Sequence, residues 1–218
     1  TTGIVFECGH GVSQIVPIYE QEIMLNASQK INFGGSDLTK WLQRLLYENG
    51  FFFSTTSNIK TIQDIKEKYA YVAFDYELEI EKEKNTSDVD VLCNLPDGSS
   101  ITISDERFTC PELLFKPSMN RFEFDGFDKV IYDSILKCKK EYQNDLFSNI
   151  VLSGGTTKIN GFVERIEKEI IYQAPPGMNV QFIAEQYREY LPWIGGSILA
   201  SNEYFQQIAI TRVDYNNR

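Results

Sequence analysis

The sequence holds 218 residues, with 21 basic and 31 acidic side chains, a formal net charge of −10 and a single histidine. That acidity argues against a surface built to neutralise a phosphate backbone or anionic lipid, and one histidine leaves no His-rich metal centre. At 42% hydrophobic the chain can bury a sizeable core. No apolar run approaches the ~18 residues of a membrane span. Four widely spaced cysteines, with no CxxC pair among them, are expected to be reduced and mostly buried, as in an intracellular protein.

The apolar run Gly3 to Phe6, the glycine-rich Glu7-Cys8-Gly9-His10-Gly11 and the stretch Val12 to Tyr19 predict a β-hairpin, its second strand ending at Pro17. Ser36 reads as the N-cap of a helix carrying Leu38, Trp41, Leu42, Leu45 and Leu46, which Asn49-Gly50 stops. A second helix follows Thr55-Thr56-Ser57, with Ile59, Ile62, Ile65, Tyr69 and Val72 on one stripe. The charged stretch from Tyr76 to Asp90 reads as an exposed loop or solvated edge. Asn94 to Ser99 marks a turn between two strands, and Pro111 is expected at the first position of a short helix. Phe127 to Cys138 carries a helical stripe, Asn149 to Ser153 a buried strand, Phe162 to Ile170 another helix and Asn179 to Ala184 a further strand. Trp193 to Ala200 has small residues where a helix would press closely on a neighbour. Strands alternating with helices predict an α/β core.

Two segments are suited to phosphate or nucleotide chemistry. In Gly9-His10-Gly11-Val12, successive backbone N–H groups can form a concave nest for anionic oxygens. In Ser153-Gly154-Gly155-Thr156-Thr157, glycines let a flat ligand lie against the backbone at a helix mouth. Alone, Gly-x-Gly in a hairpin is usually just a turn, and Gly-Gly after a strand is often only a tight connection. Neither is a Walker A loop or a dinucleotide fingerprint.

Taken together, the blocks are more specific. Thr1-Thr2-Gly3-Ile4-Val5, Gly9-x-Gly11-Val12, Val16-Pro17-Ile18-Tyr19, Asp64 to Lys68 with Tyr71-Val72-Ala73, Leu95-Pro96-Asp97-Gly98, Glu106-Arg107-Phe108, Val151 to Thr157, Trp193 to Ser201 and Phe205-Gln206-Gln207 resemble the actin family in order and spacing across the whole chain. The resemblance implies an α/β, actin-like ATPase fold related to ribonuclease H. It implies the larger of the family's two lobes, without most of the smaller one. Residues 1–33 and 123–190 would form the body, residues 34–122 an inserted upper subdomain, and residues 191–218 a segment returning to the smaller lobe. Nucleotide sits between the lobes in this family, so the chain would hold half a site for ATP or ADP with Mg2+.

The resemblance also implies roles residue by residue. Gly9, Gly11 and Val12 match the backbone cradle of the β- and γ-phosphates. Gly35, Lys66 and Glu67 match positions lining ribose and adenine, Gly155 meets base and sugar, and Asp37 also matches. By composition alone Lys66 and Glu67 read as a solvated helix face. The chemical positions depart: the family's Asp-Ser-Gly-Asp-Gly-Val turn is here Glu7-Cys8-Gly9-His10-Gly11-Val12. Glu7 keeps the charge that orders water around the metal but adds a methylene, and His10 replaces a second carboxylate. Read as a residue rather than a match, His10 is a tolerant turn residue or a lone catalytic base. The histidine beside the attacking water is Gln14, which leaves Gln14 and Glu7 as the catalytic candidates. A tyrosine flanking the base is Ile159, and a lysine near adenine is Glu189. The plug segment reads Ser118-Met119-Asn120-Arg121-Phe122, polar where filament packing expects small or apolar residues. The expectation is an actin-related structural or cytoskeletal subunit, cytoplasmic, with weak or absent ATPase activity and partners in a larger complex, without nucleic acid or membrane. The alternative is an active, polymerising actin-type ATPase.

Overall fold

A computed structural model describes residues 2–53, 56–203 and 205–216; Thr1 and Thr55, which fall in motifs quoted above, lie outside them. The hairpin forms as expected: β1 (Gly3–Cys8) and β2 (Ser13–Tyr19) pair antiparallel from Gly3↔Ile18 to Cys8↔Ser13. The short strands β3 (Glu22–Ile23) and β4 (Gln29–Ile31) both pair with the outer edge of β2, β4 against Ser13 to Ile15 and β3 against Ile18 and Tyr19. Pro17 does not end β2 but sits within it, in the gap between these two pairings. Its carbonyl accepts the Met24 N–H at 2.9 Å. In a strand the N and C=O of one residue face the same side, so the missing proline N–H points away from β1 and costs the ladder nothing.

Helix α1 (Gly35–Glu48) buries Leu38, Leu42 and Leu46. It begins earlier than Ser36 suggests, because Gly34 is the N-cap and the Asp37 carboxylate accepts the Gly34 N–H at 3.1 Å. Helix α2 (Thr56–Tyr69) packs against it. The charged stretch expected as a loop is instead helix α3 (Tyr76–Asn85). Asp75 caps it by accepting the Leu78 N–H, and Glu77 and Glu79 in the first turn with Lys82 and Lys84 in the last complement the helix dipole. None of its residues is buried, so the solvated part of that expectation holds.

Strands β5 (Val91–Asn94) and β6 (Ser100–Ile103) form a separate hairpin across the Pro96-Asp97-Gly98 turn. Helix α4 (Glu106–Glu112) then contains Pro111 in its last turn rather than at its start. The Arg107 carbonyl, which a residue other than proline at 111 would use, instead accepts the Tyr71 N–H at 3.0 Å. Helices α5 (Phe127–Leu136) and α6 (Lys140–Phe147) lead to β7 (Ile150–Ser153), and α7 (Phe162–Gln173) to β8. The expected strand from 179 to 184 narrows to β8 (Phe182–Ile183). The order β3-β2-β1-β7-β8, with β1, β7 and β8 parallel, makes one mixed sheet.

Ile4, Phe6 and Cys8 alternate onto the buried face of β1. There Phe6 meets Phe127 of α5 at 4.9 Å and Phe162 of α7 at 6.1 Å between ring centres. Burying each such ring contributes about 1.5–3 kcal/mol. All four cysteines are free and buried. By contrast, α8 (Leu191–Ala200), α9 (Phe205–Ile208) and α10 (Arg212–Asn216) add almost nothing to the core; Trp193 is 73% exposed, and a Cβ added at Gly195 or Gly196 would meet nothing within 4 Å. Among the described residues no helix is long and apolar enough to cross a membrane.

A buried ion pair ties α4 to α7. The Arg165 guanidinium reaches the two Glu112 oxygens at 3.2 and 3.3 Å, donates to the Ala73 carbonyl at 2.8 Å and lies over the Phe115 ring. Burial pushes the Glu112 carboxyl up even against this guanidinium. Arg165→Met strands that carboxylate and should cost about 3–5 kcal/mol, whereas adding Glu112→Leu should restore much of the loss. Urea denaturation of the two variants measures both.

Candidate functional site

The site begins where three glycine segments meet backbone to backbone. The Gly35 N–H donates to the Gly9 carbonyl at 3.0 Å and the Ser36 N–H to the His10 carbonyl at 2.7 Å. The first donors of α1 are therefore used on the hairpin turn, not left for an anion. A Cβ on Gly34 would come within 2.7 Å of both those carbonyl oxygens, so only glycine allows this approach. From the third segment, the Thr156 hydroxyl donates to the Gly9 carbonyl at 2.9 Å. Gly154 has φ +87°, and a Cβ there would overlap the Cys8 carbonyl. The Gly9, His10 and Val12 carbonyls of the turn each accept a hydrogen bond. Its N–H groups at His10, Gly11 and Val12 have no protein acceptor among the described residues.

Beside this junction lies a cavity of about 390 Å³, a size suited to a small organic ligand. Of the residues singled out from the sequence, Gly35, Lys66, Glu67, Gly155, Ile159 and Glu189 line it together with His10. Lys66 is not on a solvated face: it is 5% exposed, and its ammonium donates to the Gly35 carbonyl at 2.6 Å and the Thr39 hydroxyl at 3.0 Å. Burial lowers its pKa. Its visible work is to hold the first turn of α1 against the junction. Glu67 is exposed and accepts from the Gln63 amide at 2.6 Å. Gly155 is open, with nothing nearer than Glu189 Cβ at 3.9 Å from an added Cβ.

Lys158 and Glu189, which both line the cavity, form an ion pair at 2.6 Å. Lys158 holds the Glu189 carboxyl below the usual range. Lys158 and Gln63 escape a sequence reading, since nothing in the spacing of a lysine after Gly-Gly-Thr-Thr or of a glutamine on a polar helix face directs either to a ligand.

Glu7 and Gln14 lie outside that lining. They are direct partners across the β1–β2 ladder, so their side chains share one face of the hairpin, Glu7 half-buried and Gln14 exposed. Asp37, besides capping α1, pairs with Lys40 at 3.2 Å. Asn120 and Arg121 close a 3-10 turn over Pro117–Asn120, with Arg121 exposed at φ +60° and Met119 and Phe122 turned to the core.

The residues present fit a nucleotide: the His10, Gly11 and Val12 N–H groups have no protein acceptor among the described residues, and the open backbone of Gly155 lines a cavity of suitable volume. No group of three or more His, Cys, Asp or Glu able to hold a metal occurs among the described residues.

The mixed sheet, its glycine hairpin and the strand-to-loop junction at Gly154 define an actin-like ATPase fold. The family model for actin matches residues 1–218, and the chain belongs to the actin family.

Gly154→Ala should destabilise the chain by more than about 2 kcal/mol, because it combines a left-handed backbone with overlap at Cys8. Gly11→Ala, where a Cβ has open space, should change stability by less than about 1 kcal/mol. Thermal or urea unfolding of the pair tests whether the junction carries the fold.

Proposed function

We propose that this chain is part of an actin-related structural or cytoskeletal subunit that binds nucleotide and hydrolyses it weakly or not at all. The observation that carries this reading is the contrast within one site. The glycine junction that shapes the cavity is complete, while the side chains around the phosphates depart from the family's pattern at Glu7, His10 and Gln14. On the family's precedent the ligand is ATP or ADP with Mg2+. Gly9, Gly11 and Val12 would cradle the phosphates, and Gly35, Lys66, Glu67 and Gly155 would line sugar and base.

The metal-bound nucleotide supplies the phosphoryl group and its charge neutralisation. The chain's own residues bind, orient and exclude water. His10 sits exposed in the turn where the family places a carboxylate. A neutral imidazole cannot replace that charge, and a protonated one opposes a cation while attracting phosphate. Glu7 keeps a negative charge near the metal's waters but displaces it by a methylene.

A second reading, an active polymerising ATPase, is favoured by one observation. Gln14 stands directly across from Glu7, and glutamine orients attacking water in small GTPases. Against polymerisation stand the polar Asn120 and the exposed Arg121 in the plug segment. The division into a body of residues 1–33 and 123–190, an inserted subdomain of 34–122 and a returning segment of 191–218 is part of the same reading. It is supported by the sheet drawing strands from both 3–31 and 150–183. The apolar side chains of α8 to α10 are then the surface that a smaller lobe covers. The setting is cytoplasmic and cytoskeletal, with protein partners rather than nucleic acid or membrane.

Denaturing the purified full-length protein in its native assembly and chromatographing the supernatant tests the core of this proposal. About one nucleoside di- or triphosphate per chain is expected, and its absence overturns nucleotide binding. With Mg-ATP the same preparation should release phosphate slowly and fail to pellet as long filaments. Rapid release with pelleting would favour the ATPase reading.

A further inference from the structure

The charged residues that line the cavity, Lys66, Glu67, Lys158 and Glu189, cancel in sign and are already engaged. Lys66 is spent on the Gly35 carbonyl and the Thr39 hydroxyl, Lys158 on Glu189, and Glu67 accepts from Gln63. Of the elements that flank the hairpin turn, β1 contributes Glu7 and the first turns of α1 the Asp37–Lys40 pair. His10 stands apart from all of these. It lines the cavity, it is exposed, and among the described residues its ring makes no hydrogen bond or ion pair. Its backbone is held, since the Ser36 N–H donates to the His10 carbonyl at 2.7 Å, while its own N–H and those of Gly11 and Val12 have no protein acceptor among the described residues. An anion bound to the His10 N–H lies within a few ångströms of the ring of the same residue in any rotamer, close enough for the two charges to interact strongly.

We propose that His10 takes up a proton when nucleotide phosphate occupies the turn, and that the imidazolium is the cation that holds it. This inference rests on the reading of the cavity as a nucleotide site. Histidine is the side chain whose charge ordinarily changes between pH 5 and 8. ADP and ATP keep a net negative charge even with one magnesium ion bound, so their phosphates favour the protonated ring. The proton passes from solvent to a ring nitrogen, and no other bond changes. Linkage makes the effect reciprocal: if phosphate favours the proton, the proton favours phosphate by the same factor. Affinity then rises as the pH falls through the histidine range, and binding at fixed pH draws a proton from the buffer. A carboxylate at position 10 would stay ionised throughout that range and take up nothing. The replacement at this position therefore adds a pH dependence as well as removing a negative charge.

The test is calorimetric titration of the full-length protein, stripped of bound nucleotide, with ADP and ATP at saturating magnesium, where the terminal phosphate itself no longer titrates near neutrality. Buffers of different ionisation heat report the protons exchanged. Both nucleotides should bind about three- to tenfold more tightly at pH 6 than at pH 8, with uptake of a fraction of a proton near pH 7. His10→Asn should abolish the uptake and bind at both pH values as the unaltered protein does at pH 8. His10→Lys, charged across the range, should keep the tighter binding up to pH 8, with urea unfolding confirming that both variants are folded. Nucleotide binding without proton uptake, or an uptake that survives His10→Asn, overturns the role of His10 and leaves the nucleotide site standing. Binding of neither nucleotide at any pH overturns the nucleotide reading itself.

Discussion

The site depends on one constraint: three backbone segments must approach more closely than any side chain would allow. The turn after β1 offers two carbonyls, at Gly9 and His10. The start of α1 supplies N–H donors to both, and Thr156 adds a hydroxyl to one. Gly34 and Gly154 are the points where a Cβ would force the segments apart. The N–H groups of His10, Gly11 and Val12 have no protein acceptor among the described residues.

A second tie extends this arrangement outward. Arg165 on α7 joins Glu112 on α4, the Ala73 carbonyl and Glu169 on its own helix, so α7 is tied to α4 and to the backbone at Ala73. Lys66 does similar work nearer the cavity, where its buried ammonium links α2 to the first turn of α1. Arg165 and Glu112 pair with each other, and the Lys66 ammonium is hydrogen-bonded to two neutral oxygens, which offsets part of the cost of burying charge. The same chain leaves α3 solvated and held by end-complementary charges, and leaves the apolar residues of α8 to α10 on the surface. Buried apolar side chains are concentrated around the sheet and the helices packed on it.

Much of this architecture was legible residue by residue. The β1–β2 hairpin, the apolar stripes of α1, α5 and α7 and the strand β7 follow from period and punctuation, because side-chain alternation and helical spacing are local properties. The structure departs from that reading where a local signal has two outcomes. Tyr76 to Asn85 is charged in a way that suits a loop or a solvated helix, and the Asp75 cap decided for helix. Pro111 commonly opens a helix, but here Tyr71, forty residues earlier in the chain, takes the carbonyl that proline leaves unused. Ser36 is a good cap by type, yet Gly34 takes that place because the hairpin turn has to fit against it.

The sequence by itself determined the family's blocks, the two glycine-rich loops, and the replacements at Glu7, His10, Gln14, Ile159 and Glu189, since each is a matter of residue type and order. Only the tertiary structure showed that Lys66 faces inward to Gly35, that Glu7 and Gln14 stand opposite each other, and that Lys158 pairs with Glu189 across thirty-one positions. Those facts depend on which side of an element a residue faces and on what the fold brings opposite it. A charged side chain has the same letter whether it is solvated or paired; its partner is chosen by packing.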